Sequence, residues 1–69
     1  MNTHYIITVF YDGQLNSTWK YSNAVEAVHA WDKCVDHAFA NEVATYNLEE
    51  PNGKMHTKHF YKTGEVVIR

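Results

Sequence analysis

Residues Ser22–Ala40 read SNAVEAVHAWDKCVDHAFA, and this is the stretch on which the fold turns. Ala24, Val28, Trp31, Val35 and Ala38 recur at intervals of three and four, with Ala27, Cys34 and Phe39 beside them, which is the spacing of one helical face. Glu26, His29, Asp32, Lys33, Asp36 and His37 fill the other face. Ser22 and Asn23 are both N-cap residues, because a side-chain oxygen there accepts a bond from a first-turn amide that has no partner inside the helix. With Asn23 as the cap, Glu26 stands at the reciprocal position of a capping box. The pattern predicts a helix over 22–40, with Val28, Trp31, Cys34, Val35 and Phe39 as its buried side.

The sequence on both sides of this helix alternates as strands do. His4–Tyr11 is nearly all β-branched or aromatic and stops at Asp12-Gly13, a hairpin turn. Gln14–Tyr21 returns with Leu15, Ser17, Trp19 and Tyr21 on one face. A three-residue loop, Tyr11-Asp12-Gly13, with a bulge at the glycine would set Tyr5, Ile7 and Val9 beside Leu15 and Trp19; a two-residue Asp-Gly loop would bring in Ile6 and Phe10. The first is preferred because its buried set is more continuously apolar. Beyond the helix, Glu42–Glu49 carries its apolar weight on even positions, and Glu50-Pro51-Asn52-Gly53 is a strong turn signal. Lys54–Lys62 should then return with Met55, Thr57, His59 and Tyr61 on one face and Lys54, His56, Lys58, Phe60 and Lys62 on the other, the lysines pointing to water. A last turn at Lys62–Glu65 leads to a short strand or tail, Val66–Ile68. The expected fold is α+β: a β-β-α-β-β(-β) antiparallel sheet with one helix packed across one face, in a single domain spanning 1–69.

Sixty-nine residues provide a modest core, and the two Trp, three Phe and five Tyr raise the area each buried residue contributes. A formal charge of −2 argues against holding nucleic acid by wholesale phosphate neutralisation. The single cysteine, Cys34, forms no internal disulfide and suits a reducing, cytoplasmic setting. No signal peptide is expected in the first apolar run, and no run is long enough to cross a bilayer.

His29, Asp32 and Asp36 share one side of the helix, and Cys34-x-x-His37 with His56-x-x-His59 has a superficial zinc spacing. The first is read as a solvated helix face. The second fails on geometry, because residues three apart on a strand point to opposite faces. Cys34 with His37 is the one local nucleophile–base pair, and Cys34 belongs to the buried stripe. There is no glycine-rich phosphate loop. No metal, cofactor or catalytic residue is therefore assigned, and the reading is a non-enzymatic protein.

Charge is the better guide. Residues 1–42 carry a net charge of −3 and residues 43–69 a net charge of +1, counting Asp and Glu against Lys and Arg. Two candidate surfaces follow: an acidic helix face, Glu26, His29, Asp32, Lys33 and Asp36, suited to a protein partner, and a basic strand face, Lys54, His56, Lys58, Phe60 and Lys62, with the pattern of a stacking platform for single-stranded nucleic acid. Edge-strand lysines that discourage aggregation are the preferred explanation of the second. Self-association into a homo-oligomer through open sheet edges is a further expectation. Protonating all five histidines would move the formal charge from −2 to +3, so behaviour should change between neutral and mildly acidic solution.

Ala27, Trp31-Asp32, Phe39-Ala40, Leu48, Pro51-Asn52-Gly53-Lys54, Lys58 and Phe60 together give the chain a resemblance to short proteins of unassigned function encoded by tailed phages. The resemblance spans about the last two-thirds of the chain, and its distinctive piece is the Pro-Asn-Gly-Lys turn with the downstream Lys and Phe. It brings no catalytic or binding residues. It implies a protein that acts in the cytoplasm of an infected bacterium by binding a host component. The expected function is thus a protein–protein interaction module that modulates a host complex, with single-stranded nucleic-acid binding through strand 54–62 as the alternative.

Overall fold

A computed structural model describes residues 3–35 and 42–69. The elements follow the expected order: β1 (Tyr5–Tyr11), β2 (Gln14–Tyr21), α1 (Ala24–Asp32), β3 (Val43–Glu49), β4 (Met55–Tyr61) and β5 (Val66–Ile68). The five strands form one antiparallel sheet in the order β2-β1-β3-β4-β5, with α1 on one face. Val66–Ile68 is a true fifth strand, paired with Lys58–Phe60.

The core lies between helix and sheet. Ile7 and Val9 from β1, Ala44, Tyr46 and Leu48 from β3, and Phe60 from β4 are its buried residues, joined by Cys34. Period-two alternation puts them on one face: Ile7 pairs with Leu48, Val9 with Tyr46, and Ala44 with Phe60. The Phe60 ring meets Tyr46 edge-on, with centroids 5.5 Å apart at 82°, the arrangement that ring quadrupoles favour.

The first hairpin corrects the expected turn. Tyr11 pairs with Gln14, so the loop has two residues, Asp12 and Gly13, with φ of 51° and 82°. Positive φ at both positions is what a type I′ turn demands, and Asp and Gly are residues that tolerate it. Asp12 also locks the turn to β3: its amide donates to the Val43 carbonyl at 2.9 Å, and its Oδ1 accepts from the Val43 amide at 3.1 Å. With this turn alone the odd residues of β1 would face the even residues of β2. A bulge restores the match, since Phe10 pairs with Leu15 and Val9 with Ser17, leaving Asn16 as the extra residue. Tyr5 and Ile7 therefore share the helix face with Tyr21 and Trp19, as expected, whereas Leu15 joins Phe10 on the far face and is 63% exposed.

The helix is also shorter than its periodicity suggests. It ends at Asp32, with Lys33 as C-cap. Asn23 caps the start, its Oδ1 accepting from the Glu26 amide at 2.9 Å. The buried stripe runs through Ala27, half-buried Ala30 and Trp31, and Cys34. Val28 and Val35, expected inside, are exposed, which shifts the buried side by about one residue around the helix. Small alanines at 27 and 30 let the backbone approach the sheet, and that approach turns the valines outward. Phe39, the remaining expected core residue of this stretch, lies outside the described residues.

Candidate functional site

α1 covers the sheet incompletely and leaves a groove along its β3–β4 side. One part is a cavity of about 240 Å³ walled by Tyr5, Ala24, Val28, Trp31 and Leu48, with Glu50 and His56 at its polar end. A shallower depression of about 390 Å³ lies over the helix itself, formed by Ala24, Val25, Val28, His29 and Asp32. The two share Ala24 and Val28, so together they make one surface running over the helix. Val25 is 80% exposed and Val28 is 50% exposed. Apolar side chains in the open, next to a cavity and rimmed by carboxylates, form a surface suited to contact.

The polar end is built by the second hairpin. Its turn is closed by the Gly53 amide donating to the Glu50 carbonyl at 2.9 Å and the Glu50 amide donating to the Lys54 carbonyl at 2.8 Å. Leu48 pairs with His56, which puts the imidazole on the helix side. His56 Nε2 stands 2.7 Å from Glu50 Oε2, so the ring proton on that nitrogen donates to the carboxylate. The pair fixes both side chains at the mouth of the cavity.

The predicted acidic face is present on α1 and just beyond it. Glu26, His29, Asp32 and Lys33 are exposed, and His29 and Asp32 border the depression; Asp36 lies outside the described residues. Lys33 instead borders a third depression, of about 340 Å³, on the β1–β2 side with Trp19, Tyr21 and Cys34. Nothing in the helical periodicity singles out Val25, and the same periodicity places Val28 inside. Glu50 reads as a turn residue, although the period-two register of the hairpin puts residue 56 on the face of Leu48.

The basic strand face is arranged differently from its expectation. Phe60 is 8% exposed and packed on Tyr46, so its ring belongs to the core rather than to a stacking surface. Lys58 does not point to water: its Nζ donates to the Trp31 carbonyl at 2.7 Å and sits 4.4 Å from the Trp31 ring centroid. His56 is held by Glu50. Lys54 and Lys62 lie just beyond the two ends of β4, and Lys62 makes an exposed 3.7 Å ion pair with Glu42. Nor is β4 an edge, because β5 pairs outside it, so edge protection does not account for these lysines.

No three His, Cys, Asp or Glu side chains converge among the described residues. Cys34 is buried, and its thiol donates to the Ala30 carbonyl with Sγ at 3.3 Å. Burial pushes the thiol above its ordinary value of 9.0, against a smaller opposing pull from the Lys58 charge. A raised folded-state value means that this contribution to stability is fully present below pH 9.0 and is lost as pH rises through the folded value. The difference in urea midpoint between wild type and Cys34→Ala should accordingly be flat from pH 7 to 9 and shrink above it. Native Cys34 should react slowly with iodoacetamide. Rapid alkylation at neutral pH would contradict the burial argument. His37, its proposed partner in sequence, lies outside the described residues.

Among known proteins, no family model, no curated protein and no solved structure matches this chain. No helix among the described residues is long and apolar enough to cross a membrane.

Proposed function

We propose that this chain is a non-enzymatic interaction module that docks a protein segment over α1. The observation that supports this reading is the exposure of Val25 and Val28 on a helix that buries only Ala27 completely. A helix serving the core alone would carry polar residues at 25 and 28, since exposed valine loses side-chain freedom in a helix and gains no burial. Glu50 and Asp32 at the rim carry negative charge, which suits an apolar segment flanked by Lys or Arg. The resemblance to short phage-encoded proteins supports the same reading and gives the setting: a bacterial cytoplasm, with a host complex as the target.

Affinity capture from the native host tests it with two full-length variants. Val25→Asp with Val28→Asp should fold normally by circular dichroism and lose a partner retained by wild type, by about tenfold or more if both valines are desolvated on contact. Lys54→Glu with Lys62→Glu should keep that partner. Loss in the lysine variant alone, accompanied by salt-sensitive binding of a labelled single-stranded oligonucleotide to wild type, would replace this reading with the nucleic-acid one.

A further inference from the structure

The sheet face turned away from α1 has no element packed on it among the described residues, and its residues lie in rows fixed by strand register. Lys20, Ile6 and Glu49 form one row across β2, β1 and β3; Thr18, Thr8 and Asn47 form the next; Leu15, Phe10 and Thr45 form the third. Within these three strands the face carries one cation and one anion, Lys20 and Glu49, on opposite sides of β1 in the same row. Neither is in an ion pair among the described residues.

We propose that this face is the interface of a symmetric dimer, two copies packed sheet to sheet about a twofold axis that runs along β1. Rotation about that axis lays β2 of one copy over β3 of the other. Lys20 then faces Glu49 of the partner subunit, and symmetry makes the same pair a second time. Ile6 meets Ile6 of the partner subunit and Phe10 meets Phe10 of the partner subunit along the axis. Leu15, left exposed by the Asn16 bulge, is covered by Thr45 of the partner subunit.

The charge pattern selects this axis. An axis along β3 would set Glu49 against Glu49 of the partner subunit, and like charges facing each other repel. An axis midway between β1 and β3 would press Lys20 onto Met55 of the partner subunit and Glu49 onto Ile6 of the partner subunit, leaving both charges desolvated without a partner. Aligned sheets pack about 10 Å apart with strand directions within about 30°, so the near-superposition of rows at the centre of the contact is the ordinary geometry. The surface is separate from the α1 groove, which lies on the other side of the sheet.

Sedimentation of the full chain over a concentration series tests this. Wild type should show a monomer–dimer equilibrium. Lys20→Glu and Glu49→Lys should each weaken it by about tenfold or more, because each sets two like-charged pairs face to face. The double variant, K20E with E49K, should restore it. Thr8→Lys, which puts two lysines on the axis, should give monomer with an unchanged circular dichroism spectrum, and Val25→Asp with Val28→Asp should leave the dimer intact. A wild type that is monomeric at every concentration overturns the proposal, including one that binds a single-stranded oligonucleotide through this face instead. So does failure of the charge swap to restore association.

Discussion

Phe60→Ala should lower the free energy of unfolding by about 3–5 kcal/mol, the cost of removing a buried aromatic and leaving the cavity only partly refilled. Small domains have stabilities at the low end of a range of about 5–15 kcal/mol, so the variant should be largely unfolded or close to it at room temperature. Two features make this residue costly to remove. It lies between β3 and β5, opposite Ala44 on one side and Val66 on the other, and the alanine directly across from it is too small to fill the space. It also provides the edge-on partner of Tyr46, a contact worth about 0.5–1.5 kcal/mol beyond area burial. Phe60→Leu should recover most of the loss. Urea unfolding followed by tryptophan fluorescence measures both. A cost below about 1 kcal/mol for the alanine variant would place Phe60 at the surface and reopen the stacking role that the sequence suggested for it.

Lys58→Ala should cost about 2 kcal/mol, more than a surface lysine normally contributes, because a hydrogen bond to a charged donor is worth about 1.5–3 kcal/mol when half-buried. The ammonium reaches from β4 to the last turn of α1, where carbonyls point outward and favour a cation. The same charge lies over the face of Trp31, adding about 0.5–1 kcal/mol. Lys58 is thus a strap from the sheet to the C-terminal end of a short helix. Lys58→Met keeps the alkyl stem and removes the charge, so it should lie between wild type and alanine. Amide exchange in α1 should quicken in the alanine variant before exchange in β1 or β3 does. If exchange quickens equally everywhere, the strap does not hold the helix in particular.

Much of this arrangement was legible in the chain. Alternation identified Ala44, Tyr46 and Leu48 as the inner side of β3, because a strand with one face on a core repeats every two residues whatever it packs against. The Asn23 cap was legible for a similar reason, being a bond between residues three apart. Phe60 was harder. Its neighbours Lys58 and Lys62 made the even face of β4 look solvated, and alternation cannot say which of two mixed faces turns inward. The same limit explains why Val28 was assigned to the wrong side of the helix: with Ala24, Ala27, Val28 and Trp31 all apolar, the stripe is wide enough to rotate by one residue. The exposure of Glu26, His29, Asp32 and Lys33 follows from their polarity, whereas the valines between them and the Glu50–His56 pair depend on what α1 leaves uncovered.

What the sequence determined by itself was local: element types, their order, the Asn23 cap, the Glu50–Gly53 turn and the alternation of β3. Each rests on interactions between residues a few positions apart, which the chain carries wherever it goes. Tertiary structure alone decided the strand order β2-β1-β3-β4-β5, the Asn16 bulge that rotates Leu15 away from Ile7, the rotation of α1, and the enclosure of Lys58 and Phe60. These are choices between faces and neighbours that are nearly equal in local energy, and burial of Ile7, Val9 and Tyr46 in one shared core decides them.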